Sequence, residues 1–172
     1  MSEPIVNRVL ESSLVSLDLE ELAGPLKEWV VFDLKPFLFM ELILKEKDYR
    51  EQLKQTQWDD YAGKKVAVYC SADAIIPMWA YMLAAAYLQP VASEIYFGNL
   101  QEARGAYLLK KIEGLDLENF TDQRVVVKGC GDEPVKESAY LAITVKLRGV
   151  VKSIMYGEPC STVPIYKKLK SL

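Results

Sequence analysis

The chain has 172 residues, 51% of them apolar and 26% charged, with a net charge of −3; one globular core is the default, and the basic face of a nucleic-acid binder is not expected. Histidine is absent, which removes Ser-His-Asp and Cys-His nucleophile systems, imidazole acid–base catalysis and every His-containing metal site. The three cysteines are an odd number, and the opening MSEPIVNRVLESS lacks a basic start followed by an apolar core, so reduced thiols in a cytoplasmic protein are expected.

In chain order, Ile5 to Leu10 offers one or two helical turns, and Leu14 to Leu19 alternates like a short edge strand. Trp29 to Asp33 reads as a strand. Lys35 to Gln55 reads as helical, with a break after Met40 and a charged second half, 45–54, that predicts a solvated face laced by i,i+4 ion pairs. From residue 58 the pattern becomes regular. Strands are predicted at 64–70, 93–98, 123–129 and 152–157, helices at 74–88, 100–112 and 133–147, and a short basic helix from Thr162 to Leu172. Strands alternating with helices of this length imply parallel βαβ crossovers. The expected fold is therefore one α/β domain over 1–172, a three-layer arrangement around a mostly parallel sheet. The apolar stretch from Ala74 to Leu88 contains Pro77 and falls short of a bilayer span. It predicts a buried helix, with Trp79 and Tyr81 as core aromatics and an outer face suited to a homodimer contact.

An internal repeat supports this reading. Sliding 58–98 onto 117–157, a constant offset of 59, matches Val66 with Val125, Val68 with Val127, Asp73 with Asp132, Ala80 with Ala139, Tyr81 with Tyr140, Leu88 with Leu147, Val91 with Val150, Ile95 with Ile154 and Gly98 with Gly157. Two βαβ units share a hydrophobic rhythm even without common ancestry, so the matches predict shared architecture first and duplication second.

The chemistry-bearing residues fall at the predicted strand ends. Cys70-Ser71-Ala72-Asp73 stands where Gly129-Cys130-Gly131-Asp132 stands in the second repeat, and Cys160 follows the last predicted strand in GEPCSTVP (157–164). In one parallel sheet these would share the carboxyl edge, where open α/β sheets bind ligands. The plain alternative is that each cysteine is a small buried filler. Asp73 and Asp132 precede predicted helices holding Pro77 and Pro134 in their first turns, so they read as N-caps. A helix N-terminus also favours a thiolate, suiting Cys70 and Cys130 to metal binding or nucleophilic attack. Three thiolates without histidine suit zinc or an iron or iron–sulfur centre, with Asp73, Asp132 or Glu158 as an oxygen ligand. No CxxC, GxGxxG or GxxxxGK[ST] pattern occurs, so neither a zinc-finger spacing nor a nucleotide loop supports a cofactor.

The segments VFDLKPFLF (31–39), LKEKDYR (44–50), CSADAIIP (70–77), WAYML (79–83) and MYGEPCSTVP (155–164) together resemble the uncharacterised bacterial family catalogued as domain of unknown function 2480. The likeness covers essentially the whole chain. The family has no established activity; what the resemblance implies is a link to iron–sulfur assembly proteins as partners. Three readings are open: a metal or iron–sulfur protein using Cys70, Cys130 and Cys160, a thiol enzyme or redox protein using Cys70 or Cys130, and a structural or interaction protein with buried cysteines. No nucleic-acid or membrane partner is expected.

Overall fold

The structure, a computed structural model, describes residues 14–129, 131, 134–158 and 160–169. In chain order the elements are β1 (Leu14–Asp18), α1 (Leu19–Ala23), β2 (Trp29–Asp33), α2 (Glu46–Gln55), β3 (Lys65–Tyr69), α3 (Met78–Leu88), β4 (Glu94–Phe97), α4 (Leu100–Glu113), β5 (Arg124–Lys128), α5 (Glu137–Arg148), β6 (Ser153–Glu158) and β7 (Ser161–Lys167). The expected α/β class with mostly parallel strands is present. The strands form two sheets, however, with orders β1-β5-β6-β7 and β2-β3-β4, where one was expected. They belong to two compact units: a central unit, Gly24–Tyr107, and a terminal unit made of the chain up to Ala23 and from Leu108 onward. Each unit holds one repeat.

In the central unit the sheet is wholly parallel. Its near-continuous apolar strands are covered on both faces, the arrangement such strands require. Phe32, Val66 and Val68 face Tyr49 and Leu53 of α2 and Ala80, Ala84 and Leu88 of α3. On the opposite face Trp29 and Ala67 meet Ala103 and Tyr107 of α4. Fully burying a Val or Leu contributes about 1.5–3 kcal/mol, so the i,i+4 stripe Ala80–Ala84–Leu88 is what fixes α3 on its sheet. The charged helix α2 is as expected from its residues: Tyr49 and Leu53 are buried, Arg50 pairs with Glu46 at 2.9 Å and Lys54 with Glu51 at 2.8 Å on the exposed side.

The terminal unit repeats the plan. Val125 and Val127 of β5 and Ile154 of β6 pack under Ala139, Ile143 and Leu147 of α5. The repeat holds in detail. β3 pairs with β4 from Lys65↔Glu94, and β5 with β6 from Arg124↔Ser153, both at the offset of 59. The N–H of Gly63 donates to Val91 O at 2.9 Å, and at the matching positions Asp122 donates to Val150 O at 2.8 Å. Gly63 and Asp122 both have positive φ, 68° and 54°.

Three local expectations are corrected. The helix begins only at Glu46; Lys35–Phe37 is a 3-10 turn, and Phe39 and Ile43 then form a bridge closed by a tight turn at Met40 and Glu41. Pro36 supports the early turn, while the apolar run 37–44 gives way to non-helical packing of Phe37, Leu38 and Leu44 on the core. The tail from Ser161 to Lys167 is not a helix but β7, antiparallel to β6. Its Thr, Val, Ile and Tyr favour a strand, and Pro164 is tolerated because β7 is an edge. Finally, α3 begins at Met78 with Pro77 at its N-cap position and no side-chain cap, and α5 begins at Glu137 after Lys136. Asp73 therefore lies too far upstream to be the expected N-cap. Asp132, given the same role, lies outside the described residues.

Candidate functional site

The carboxyl end of the central sheet is organised by Asp33. Its Oδ1 accepts hydrogen bonds from the N–H groups of Lys35 and Ser71, each at 2.9 Å, and its Oδ2 accepts from Ser71 Oγ at 2.5 Å. Burial pushes this carboxyl up, but the hydrogen bonds from Ser71 and Lys35 outweigh it and hold the group below the ordinary aspartate value. Every oxygen of the pair is used in holding the β2 and β3 ends together, which is a structural task. Cys70 beside it is half-buried against the core of α2 and α3. Burial, and then the neighbouring Cys70, push the Tyr81 hydroxyl up, and the ring of Tyr81 meets Phe97 edge-on at 5.4 Å. Asp73 is exposed and lines a hollow of about 420 Å³ with Leu42, Ile43, Leu44, Ala74, Ile75 and Pro77.

The matching end of the terminal sheet uses charge. Asp18 accepts from the N–H groups of Glu20 at 2.9 Å and Glu21 at 3.3 Å, and pairs with Lys128 at 3.2 Å. Its carboxyl, raised by burial, is brought below the usual value by those bonds, and Lys128 is raised in turn by its hydrogen bond to Asp18 and by Glu158. The Glu20 carboxylate approaches Gly131 so closely that a Cβ there would lie 1.5 Å from Oε2. Only glycine fits. Glu158 ends β6, and Cys160 is exposed beyond it, just before β7.

Cys70 and Asp73 stand in the central unit and Glu158 and Cys160 in the terminal unit, while Cys130 and Asp132 lie outside the described residues. Cys70 follows a strand of the central sheet, and Cys160 lies between the two strands of the β6–β7 hairpin in the terminal sheet. Among the described residues no group of three or more His, Cys, Asp or Glu side chains is placed to hold a metal ion, and no helix is long and apolar enough to cross a membrane.

What the motif reading missed is apolar. The buried stripe of α5 is Ala139–Ile143–Leu147, and on the opposite side Leu141 and Val145 are 70% and 79% exposed. They line a groove of about 590 Å³ with Val127, Tyr140, Thr144, Ile154, Met155, Tyr156 and Ile165, and Glu137 is its one charged lining residue. In α3 Met82, which matches Leu141 at the offset of 59, and Met78 one turn before it are likewise exposed, opposite Ala80–Ala84–Leu88. Positions two apart on a helix differ by about 200°, so two i,i+4 apolar series offset by two must face opposite ways. That offset was the available signal.

No curated protein and no solved structure matches this chain. Residues 3–168 match the family model described as "Protein of unknown function (DUF2480)", and the chain belongs to that family.

Proposed function

We propose that this chain works by binding, as an interaction module whose terminal unit takes an apolar group carrying a positive charge. The observation behind this reading is the second apolar stripe on α5. A surface helix normally turns charged or polar residues to water, whereas Leu141 and Val145 line a groove of about 590 Å³, a size common for ligand pockets. Glu137 supplies the preference for a cation. The alternatives weighed from the sequence need a reactive or metal-bound sulfur, and the two described cysteines have no cluster of ligands around them among the described residues.

The test uses the full chain and two simple probes, decylamine and decanoate, followed through the methyl resonances of Leu141, Val145 and Ile165. Decylamine is expected to give saturable shifts at these methyls. Val145→Lys should abolish those of Leu141 and Ile165, and Glu137→Gln should weaken decylamine by about 2–5-fold, the range of an exposed ion pair. Shifts absent with both probes, or spread over the surface, overturn the reading. One equivalent of tightly bound zinc or iron in the purified protein, lost in Cys70→Ser and Cys160→Ser variants, would replace it with the metal centre.

A further inference from the structure

The two repeats differ in the first residues of their paired strands. In the central unit the row across the sheet runs Trp29–Lys65–Glu94. Its cation is neutralised: Lys65 is in register with Glu94 and forms an ion pair with Glu28 at 2.5 Å. At the offset of 59 the terminal unit sets Arg124 against Ser153, so the cation is kept and the acid becomes a hydroxyl. On the other side of Ser153, β7 brings Lys167 into register. The row becomes Arg124–Ser153–Lys167, two cations flanking a hydroxyl.

Residues in register project from the same face of a sheet, on strands about 5 Å apart. Ile154 packs under α5, so Ser153 and its two neighbours turn to the opposite face. Arg124 and Lys167 are exposed and Ser153 is half-buried. Among the described residues no acid pairs with either cation, and no side chain with the Ser153 hydroxyl. By contrast Lys35, Arg50, Lys54, Lys65, Lys128 and Lys168 each have a carboxylate within 3.5 Å. Further positive charge gathers at this end of the sheet. The N–H of Lys168 donates to Lys152 O at 2.9 Å, and Arg148 lies 5.1 Å from the centre of the Tyr166 ring. Asp122 meets this group through Lys168, at 3.1 Å. The chain as a whole is acidic, at −3, so composition does not account for the cluster.

We propose that Arg124, Ser153 and Lys167 bind a phosphate group, either of a soluble phosphate or of a lipid headgroup. An anion over Ser153 lies between the two cations, accepts from the hydroxyl and offsets the repulsion of like charges on one sheet face. A phosphate offers about two negative charges and three acceptor oxygens, one for each of the three donors. The row shares no residue with the groove that Leu141 and Val145 line. The two readings therefore stand or fall separately.

Inorganic phosphate titrated into the full chain at low salt tests it, from about 0.1 to 10 mM, a range that brackets a millimolar constant. Saturable shifts are expected at the amides of Arg124, Ser153 and Lys167. Arg124→Gln and Lys167→Gln should each weaken binding about tenfold, the loss of a charge-assisted hydrogen bond. Ser153→Glu, which restores the acid found at the matching position 94, should abolish it, with its melting temperature as the folding control. Lys47→Gln removes the same charge from an exposed position of the central unit and should leave binding unchanged. Cosedimentation with phosphatidylcholine vesicles, with and without phosphatidic acid, identifies the source. A headgroup is the ligand if the phosphatidic acid vesicles carry down the chain but not Ser153→Glu, and a soluble phosphate if the titration alone responds. Neither response overturns the proposal, as does binding that survives Ser153→Glu or that falls as much in Lys47→Gln as in Arg124→Gln.

Discussion

Asp18 and Asp33 hold the same place in different sheets. Asp18 is in register with Lys128 and Asp33 with Tyr69, positions that the offset of 59 matches, and each carboxylate accepts the N–H two residues ahead at 2.9 Å. The next residue in each case, Leu19 or Leu34, is fully buried. The repeated unit is therefore larger than βαβ. It includes a preceding strand whose terminal aspartate turns the chain and drops a leucine into the core.

Replacing either aspartate by alanine should cost about 1–2 kcal/mol, because N–H groups that it satisfies lose their acceptor. Asp33→Ala should also free the Ser71 hydroxyl, which donates to it at 2.5 Å. Urea unfolding measures the loss, and an unchanged midpoint for both variants would contradict the assigned role.

The same pair predicts an acid limb. Both carboxyls titrate below the ordinary aspartate value of 3.8. A depressed folded-state value stabilises the protein above the unfolded value and loses that contribution as pH falls through the folded one. Melting temperature should fall on acidification below about pH 4, and the double variant Asp18→Asn, Asp33→Asn should show a shallower fall. Parallel profiles for the two proteins would be the adverse result.

Glycine positions should separate cleanly. Gly157→Ala places a Cβ 2.5 Å from Ser161 O at φ 118°, and no flexible side chain can yield there. A loss above about 2 kcal/mol is expected. Gly149 has φ −75° and nothing within 4 Å of an added Cβ, so Gly149→Ala should be neutral or stabilising. Thermal melts of the two variants read both outcomes.

The turn at Met40 and Glu41 carries positive φ at both residues, 52° and 56°, where glycine or asparagine is usual. Glu41→Gly should stabilise the chain by about 1 kcal/mol, relieving a left-handed conformation. The ion pair it removes, to Lys35 at 3.5 Å, is exposed and worth little. A fall in melting temperature would show that the turn is held by something other than local backbone preference.

Thiol labelling should follow exposure. Cys160 is exposed and Cys70 half-buried, so peptide mapping after brief alkylation should find Cys160 modified several-fold faster. Equal rates would mean that the packing around Cys70 opens readily.

The strands and helices between residues 58 and 158 were legible in the chain because their apolar residues recur at the periods that the two structures impose, and the offset of 59 carries those periods twice; the tail, expected as a helix, was not. The motif pattern also singled out Cys70, Asp73, Glu158 and Cys160 as residues beside strand ends. Tertiary structure decided which strands pair. The first strand of the terminal unit, Leu14–Asp18, is separated from its repeat by the whole central unit, so a constant-offset comparison passes over it, and Asp18 and Asp33, only fifteen positions apart, look unrelated. Pairing between distant segments is set by backbone hydrogen bonds and burial that no local pattern encodes. It is this pairing that puts Cys70 in the central unit and Cys160 in the terminal unit, and that turns Met82 of α3 and Leu141 of α5 away from their own sheets.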